Sequence, residues 1–397
     1  MEIPFANFLY YMPTRLIFGV GTFNILGEEV IRLGKKALIV TYADKNVAEQ
    51  TQQAVDLLKQ NGIDTVVFEE VEANPPHTMI NKGGEIARKE KCDVVIGIGG
   101  GSAMDTAKAI AVVATENVDI WRIVEGAPIT KTNLPLVVVP TTAGTGSEVT
   151  QYAVISNRGL HRKIGFAKPQ FYPTVSIVDP LLTVSLPPTL TASIGMDVLT
   201  HAIEAYTSRV ASPVSDLFAV EAIKLTAQNL RKVVQNGKDL EARKNMMLAN
   251  TLAGVAITHA DTCIVHVIGE VIGGMYNTGH GITMALLLPA VTEHNCVGNL
   301  EKYAHISHMM GENVEGLSLR EAAMKAPGAI RNMLKDISLP QGLAAIGVKD
   351  DLTNVLPFVT APGMTDSNPR QLGAKEFELI IKGSLSPAMS YWDLGGI

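Results

Sequence analysis

Four side chains in the second half of the 397-residue chain have the types and the spacing of a metal site. Asp197 and His201 lie four residues apart in a segment with helical periodicity, and residues four apart project from one face of a helix. His266 falls in a second apolar helical segment, and His280 follows at a glycine-rich turn. One carboxylate with three imidazoles suits a divalent transition metal. A lone histidine is more often an ordinary half-buried side chain, so the prediction depends on the set of four.

A glycine-rich segment in the first half is typical of a phosphate site. Gly99, Gly100, Gly101 and Ser102 follow an apolar strand and open a helix that contains Asp105. Glycine lets backbone amides approach a ligand closely, and the N-terminus of a helix carries partial positive charge. The spacing is neither Gly-x-Gly-x-x-Gly nor that of a P-loop. A tight turn would need only one glycine, so three favour the binding of a pyrophosphate.

A loop of short hydroxyl side chains follows the next apolar strand, residues 134–140. Thr141, Thr142, Thr145 and Ser147 could donate hydrogen bonds to ribose and amide groups, although such a loop is a weak signal by itself. Lys163 lies further along the chain. It either reaches an anionic or ribosyl group or is a solvated surface lysine.

Strand-like and helical segments alternate through the first half, from Arg15 to about Val178. Such alternation predicts a parallel α/β sheet with right-handed crossovers. From the prolines at 187 and 188 onward, long helical periodicities replace the strand-like segments, and the third of these helices is predicted to end near Ala253. We therefore predict an α/β domain over residues 1–185 and an all-α domain over residues 186–397.

Composition narrows the function classes. The chain is 47% hydrophobic and 18% charged, and its net charge of −6 gives no basic stripe, so we expect no nucleic-acid partner. No run of eighteen apolar residues is present, so we expect no membrane-spanning segment. The first residues lack the features of a signal peptide. Three scattered cysteines suit a reducing compartment, and we expect a cytoplasmic protein.

Motifs spread over nearly the whole chain resemble those of the iron-containing (group III) alcohol dehydrogenase family. They are Phe18-Gly19-Val20-Gly21, Gly99-Gly100-Gly101-Ser102 with Asp105 and Lys108, Pro140-Thr141-Thr142-Ala143-Gly144-Thr145-Gly146-Ser147-Glu148, Gly195-Met196-Asp197 with Thr200-His201-Ala202-Ile203-Glu204, and Gly279-His280-Gly281. The resemblance implies a Rossmann-like N-terminal domain that binds NAD or NADP. It also implies a helical C-terminal domain that holds Fe²⁺. This arrangement of two domains is the one found in dehydroquinate synthase.

Residue roles follow from this resemblance as expectations. The metal ligands would be Asp197, His201, His266 and His280, with Zn²⁺ as an alternative to iron. The dinucleotide would lie over the triple-glycine segment, and further contacts would come from Asn74, Thr141, Thr142 and Lys163. The resemblance also suggests a homo-oligomer, with a dimer as the expected form.

The sequence departs from the family pattern near the expected site. Many members carry a second histidine four residues after the one that matches His266, and Glu270 stands there instead. Glu270 either replaces that histidine in a proton relay, lends the metal a carboxylate, or is an ion-paired helix residue. His259 and Asp261 stand where members tend to have small residues or asparagine, and His259 is a second candidate for the relay.

The choice between NAD and NADP depends on the residues after the second strand. In NAD-preferring relatives an aspartate there hydrogen-bonds the ribose hydroxyls. If Asp44 takes that position, its charge would repel a 2′-phosphate and favour NAD. If Tyr42 takes it, with Lys45 nearby, NADP becomes acceptable.

We expect a hydride transfer between a small primary alcohol or aldehyde and the nicotinamide, with the metal as Lewis acid on the substrate oxygen. Two alternatives are a lyase resembling dehydroquinate synthase and a non-catalytic nucleotide-binding protein with a structural metal. No lysine or arginine occurs between Asn245 and Glu301, which favours a neutral substrate over the anionic substrate of such a lyase. Net consumption of NAD(P)H and an exchangeable metal position would distinguish the three.

Overall fold

A computed structural model describes residues 7–160, 162–349, 352–360 and 363–396. The chain forms two compact units. One is Tyr11–Leu186, and the other is Pro187–Ile397 together with the N-terminal segment that ends at Tyr10. The sequence instead assigned everything before residue 186 to the first domain.

The first unit contains a six-stranded sheet in the order β1-β8-β5-β4-β2-β3, and every neighbouring pair of strands is parallel. The predicted parallel sheet is therefore confirmed. An antiparallel hairpin of β6 and β7 lies outside this sheet, and the sequence did not predict it. The strands are β1 (Arg15–Phe18), β2 (Lys36–Val40), β3 (Asp64–Phe68), β4 (Val94–Gly99), β5 (Leu136–Pro140), β6 (Tyr152–Asn157), β7 (Arg162–Ala167) and β8 (Val175–Val178).

Both faces of the sheet are buried, which explains the continuous apolar runs of its central strands. Successive side chains of a strand point to opposite faces. Leu38 and Val40 accordingly pack with three helices on one face, whereas Ala37 and Ile39 pack with two helices on the other. The first face is covered by α3 (His77–Lys89), α4 (Gly101–Glu116) and α5 (Ile120–Val124), and the second by α1 (Leu26–Val30) and α2 (Lys45–Gln60).

The second unit is helical over its described residues. Its longest helices, α6 to α8, pack against one another, and α6 also packs against α10. The helices are α6 (Pro188–Thr207), α7 (Pro213–Gln235), α8 (Leu240–Ala260), α9 (Ile264–Tyr276), α10 (His280–Asn295), α11 (Leu300–Met309), α12 (Leu319–Ala323), α13 (Ala326–Asp336), α14 (Leu352–Val359) and α15 (Ala374–Leu385). Short 3₁₀ segments occupy Thr22–Ile25, Ser147–Val149, Arg158–Leu160, Pro169–Phe171, Pro180–Thr183, Cys296–Gly298 and Leu343–Ile346.

Two predicted boundaries in this unit are wrong. Helix α8 continues to Ala260 rather than ending near Ala253, because the apolar face of the helix continues through Val255 and Ile257. His280 was placed in a turn, but it is the first residue of α10.

Among the described residues, no single helix has both the length and the apolar character needed to cross a membrane. Taken together, α8 and α9 meet that criterion by length and composition, but the pair is bent by 104°.

Candidate active site

Helix α6 carries two of the predicted metal ligands. The helix begins at Pro188, where proline is favoured because the first turn needs no N–H donor. Asp197 and His201 lie one turn apart in its buried central part, with 2% and 5% of their surfaces exposed. They therefore face the interior of the helical unit, as the spacing of four predicted.

The corner between α8 and α9 sets the direction of the third ligand. The chain turns by 104° between the two helices. Asp261 adopts φ 61° and ψ 172° at this corner, a conformation that is nearly restricted to glycine. Cys263 is the N-cap of α9 and its side chain makes no capping hydrogen bond. His266 lies in the first turn of α9 and is buried.

Close helix packing brings in the fourth ligand. A Cβ atom at Gly281 would lie 2.6 Å from the backbone oxygen of Ser193 on α6, so only glycine permits this approach of α10. A Cβ atom at Gly269 on α9 would lie 2.5 Å from Cε of Met284 on α10, so a larger residue there would displace the end of that flexible side chain. His280, next to Gly281, is thereby held beside α6.

The four predicted ligands converge. Oδ1 of Asp197 lies 3.8 Å from Nε2 of His266 and 3.7 Å from Nε2 of His280. The rings of His201 and His266 are stacked with centroids 4.6 Å apart, and those of His266 and His280 are 5.5 Å apart. Donor atoms of Asp197, His201 and His266 all lie within 4.8 Å of one another. Three helices, rather than two helices and a turn, form this cluster.

The cluster fits a divalent metal. Two ligand atoms that each lie about 2.1 Å from one cation are roughly 3 to 4 Å apart. The two distances from Oδ1 of Asp197 to the imidazole nitrogens fall in this range. Nε2 of His266 is buried and has no hydrogen-bond partner among the described residues. A buried polar atom without a partner is rare in a folded interior, and a metal bond would satisfy it. Imidazole with carboxylate is a donor set of Fe²⁺ and Zn²⁺ sites.

The charges around His266 favour a cation. Burial lowers the pKa of His266, but the carboxylate of Glu204, helped by Asp197 and Glu270, raises it to about 9. The negative field that would hold a proton on this imidazole would also attract a metal ion. Sequence reasoning assigned no role to Glu204, although its position seven residues after Asp197 places it on the same helix face.

The two predicted relay residues lie on neighbouring helices. Glu270 is half-buried on α9, one turn after His266, and its charge acts on that imidazole. His259 is near the end of α8, where its Nδ1 lies 2.8 Å from the backbone oxygen of Val255. The ring of Tyr10 stacks on His259 with centroids 4.4 Å apart.

The glycine and threonine loops meet at the carboxyl edge of the sheet. Gly99 pairs with Pro140 across β4 and β5, and the N–H of Thr141 donates to the oxygen of Gly99 over 2.9 Å. The sequence placed these loops 40 residues apart, and adjacent parallel strands bring them together.

The glycines are required by packing as well as by any ligand. A Cβ atom at Gly100 would lie 3.2 Å from Oγ1 of Thr142, and one at Gly101 would lie 2.7 Å from Cγ2 of Thr145. Gly99 has φ +147°, and a Cβ atom there would lie 2.9 Å from Cε2 of Tyr42. A larger residue at Gly100 or Gly101 would therefore press on the threonine loop, and one at Gly99 would press on Tyr42.

The strand order changes direction between β2 and β4, because β3 lies on one side of β2 and β4 on the other. Ligands of open α/β sheets bind at such a switch point, beyond the carboxyl ends of the strands. Tyr42 follows β2 there, and its hydroxyl is within hydrogen-bonding reach of the Ser102 side chain and the Ala103 backbone. Asp44 is exposed immediately before α2.

Asp105 and Ser147 belong to a buried cluster that also contains Lys108. The ammonium of Lys108 donates to Oγ of Ser147 over 2.7 Å, to Oγ1 of Thr150 over 3.3 Å and to the backbone oxygen of Tyr152 over 2.8 Å. Oγ of Ser147 in turn donates to Asp105 over 2.7 Å. Lys108 and Asp105 on α4 thus hold that helix to the threonine loop, through Ser147, and to the hairpin.

Burial opposes charge in this cluster. Burial raises the pKa of Asp105. Four groups lower that pKa without cancelling the effect of burial: Lys108, Ser147, the Val154 N–H and Lys163. Lys163 is half-buried on β7, where it pairs with Ser156 of β6.

Asn74 lies in the loop after β3. It has φ 53°, and its backbone oxygen accepts a hydrogen bond of 2.7 Å from Oγ of Ser156. The N–H of Ser156 also donates to the oxygen of Pro75 over 2.9 Å. Strand β6 therefore fixes the backbone of this loop.

Comparison with known proteins identifies the family. The profile described as iron-containing alcohol dehydrogenase matches residues 13–180, and that of the C-terminal part of the family matches residues 191–385. The chain is 42% identical to the 1,3-propanediol dehydrogenase of Citrobacter freundii, over 95% of this chain and 99% of the relative. The chain belongs to the iron-containing alcohol dehydrogenase family.

Other members of the family are similar over the same extent. The NAD-dependent methanol dehydrogenase of Bacillus methanolicus is 38% identical, over 95% of this chain and 99% of the relative. The crystal structure of a 1,3-propanediol oxidoreductase has a TM-score of 0.92 and 39% identity, over 96% of this chain and all of the other. This iron-containing alcohol dehydrogenase family member is thus an oxidoreductase, and the family performs metal-dependent hydride transfer between a nicotinamide cofactor and an alcohol or aldehyde.

Proposed function

We propose that this enzyme interconverts small neutral primary alcohols and aldehydes, with Fe²⁺ held by Asp197, His201, His266 and His280. The convergence of these four side chains is the observation that supports the ligand set. The bound metal would supply Lewis-acid polarisation of the substrate oxygen. Zn²⁺ accepts the same donors, so metal analysis of anaerobically purified protein is needed to identify the ion.

A neutral substrate follows from the charges available. The span between Asn245 and Glu301, which includes two of the proposed ligands, contains no lysine or arginine. A carboxylate or phosphate on the substrate would need such cations nearby. The names of the relatives make 1,3-propanediol and methanol the first alcohols to test.

We assign cofactor binding to the carboxyl edge of the sheet. The start of α4, with Gly99, Gly100, Gly101 and Ser102, would bind the pyrophosphate, because helix N-termini favour anions. The hydroxyls of Thr141, Thr142 and Thr145, the amide of Asn74 and the charge of Lys163 would contact the ribose and nicotinamide parts. Asp105 and Ser147 would act through their neighbours, since their side chains bond within the protein.

NAD is the proposed cofactor in preference to NADP. Asp44 follows β2 near the switch point and is exposed, so its charge would repel a 2′-phosphate. Tyr42 bears no charge to counter this repulsion, although Lys45 does. Rates with NADH and NADPH would decide the preference, and Asp44→Ala should improve use of NADPH.

Proton transfer is assigned to Glu270, with His259 as the second candidate. Glu270 lies one helical turn from His266, whereas His259 stacks on Tyr10.

We further propose a homo-oligomer in the cytoplasm. Phe8 and Leu9 are 50% and 82% exposed and would be suited to an interface, and the three cysteines are free and buried. Light scattering tests the oligomer.

Replacement of His280 by alanine tests the assignment. Loss of one of four ligands should remove both bound metal and turnover with an aldehyde and NADH. Metal content, circular dichroism and initial rates measured on the same preparation would show whether the two are lost together. A folded variant that retains both would contradict the ligand set.

A further inference from the structure

Glu204 makes two contacts that join α6 to α9. Its Oε2 atom lies 2.5 Å from Nδ1 of His266, and its Oε1 atom accepts a hydrogen bond of 2.7 Å from the N–H of Val265. Glu204 is 3% exposed. Both oxygens of one buried carboxylate are therefore used at the first turn of the helix that carries His266.

The contact with Val265 substitutes for a missing cap. The first N–H groups of a helix have no partner within the helix, and a side chain at the N-cap usually accepts from one of them. Cys263 occupies the N-cap of α9 without making such a bond. Glu204 supplies the acceptor from another helix, and its charge is favourable at the positive end of α9.

The contact with His266 selects a tautomer. Oxygens of a carboxylate accept hydrogen bonds, so this contact assigns the proton to Nδ1 of His266. The lone pair of the neutral ring is then on Nε2, the atom that lies 3.8 Å from Asp197 and has no hydrogen-bond partner in the described structure. The opposite tautomer would present N–H to the metal position and prevent coordination.

We propose that Glu204 is a positioning residue that makes His266 a metal ligand, by fixing both the Nδ1–H tautomer and the first turn of α9. This inference rests on the proposed ligand set. Loss of a side chain that hydrogen-bonds a metal ligand typically lowers metal affinity by about 10 to 100-fold.

Glu204→Gln is the decisive variant because its shape is unchanged. The amide oxygen can still accept from Val265, but the amide N–H₂ would face Nδ1 of His266 and favour the tautomer with N–H at Nε2. We expect affinity for Co²⁺ or Zn²⁺, measured by competition with a chromophoric chelator, to fall by about 10 to 100-fold. The d–d spectrum of the Co²⁺ protein should change as well.

Glu270→Gln is the matched control. It removes one negative charge near His266 but no acceptor from Nδ1. Equal losses of affinity in the two variants would mean that Glu204 contributes only charge, and would overturn the inference. A metal affinity of Glu204→Gln within about twofold of the wild type would also overturn it.

Two further measurements keep the outcome clear. If Glu204→Gln does not fold, Glu204→Asp decides, since a carboxylate one methylene shorter cannot hold both present contacts. We expect about a threefold or greater loss of metal affinity in that variant, and no loss would contradict the proposal. Failure of the wild type to bind metal would instead contradict the ligand set itself.

Discussion

Two clusters of buried charged side chains, one in each unit, balance their charges in different ways. Asp105 faces the ammonium of Lys108 at 3.9 Å, and that ammonium donates to three oxygens. Asp197 instead faces imidazoles, and Nε2 of His266 has no hydrogen-bond partner among the described residues. A buried carboxylate needs a cation nearby. The first cluster obtains it from the chain, and under the proposed ligand set the second would obtain it from a metal.

Asp197→Asn should have the largest effect on activity. An amide is a poor substitute for the charged ligand between two imidazoles, so metal binding and turnover should fall together, by on the order of 1000-fold in kcat/KM. Added metal should raise the melting temperature of the wild type but not that of the variant. Unchanged metal content in Asp197→Asn would remove the distinction between the two clusters.

Lys108→Met should have the largest effect on stability. It leaves Asp105 buried without its cation and the oxygen of Tyr152 without that donor, and such a loss costs about 3–5 kcal/mol. Urea unfolding of the metal-free protein would measure it. The variant should still be stabilised by added metal, because its ligands are unchanged. A loss below about 1 kcal/mol would show that the Lys108 cluster is not needed for folding.

The pH dependence of the free energy of unfolding should reveal the lowered pKa of Lys108. Burial lowers the pKa of Lys108 to about 8 from 10.5, although Asp105 and Glu148 oppose this. Between these values the unfolded chain binds more protons than the folded one, so stability should rise as pH rises from about 8 to 10.5. The stability difference between the wild type and Lys108→Met should therefore widen over this window, by up to about 3 kcal/mol. A constant difference across the window would contradict the lowered pKa.

Asp261→Gly should have the smallest effect. Removing the strain of φ 61° and ψ 172° should stabilise the protein by about 1 kcal/mol. Part of this gain is offset because the variant also loses the hydrogen bond that the N–H of Thr262 donates to Asp261. Asp261→Ala is the control, because it loses that hydrogen bond and keeps the strain, and it should destabilise. Thermal melts of both variants with and without metal would show whether the strained corner also affects the ligand cluster. If both variants shift stability in the same direction, strain is not the cause.

The sequence alone determined what local patterns encode. Apolar runs predicted the parallel strands, and the spacing of Asp197 and His201 predicted two ligands on one helix face, because side-chain direction repeats with the period of each element. The types of all four proposed ligands, and the glycine and threonine loops, were also visible without coordinates.

Only the tertiary structure decided which of these side chains meet. Glu204 reaches His266 across 62 residues, and Lys108 reaches Ser147 across 39. Gly281 lies so close to α6 that a Cβ atom there would be 2.6 Å from the backbone oxygen of Ser193. Contacts of this kind depend on how the helices and strands pack together, which the periodicity of a single element does not specify.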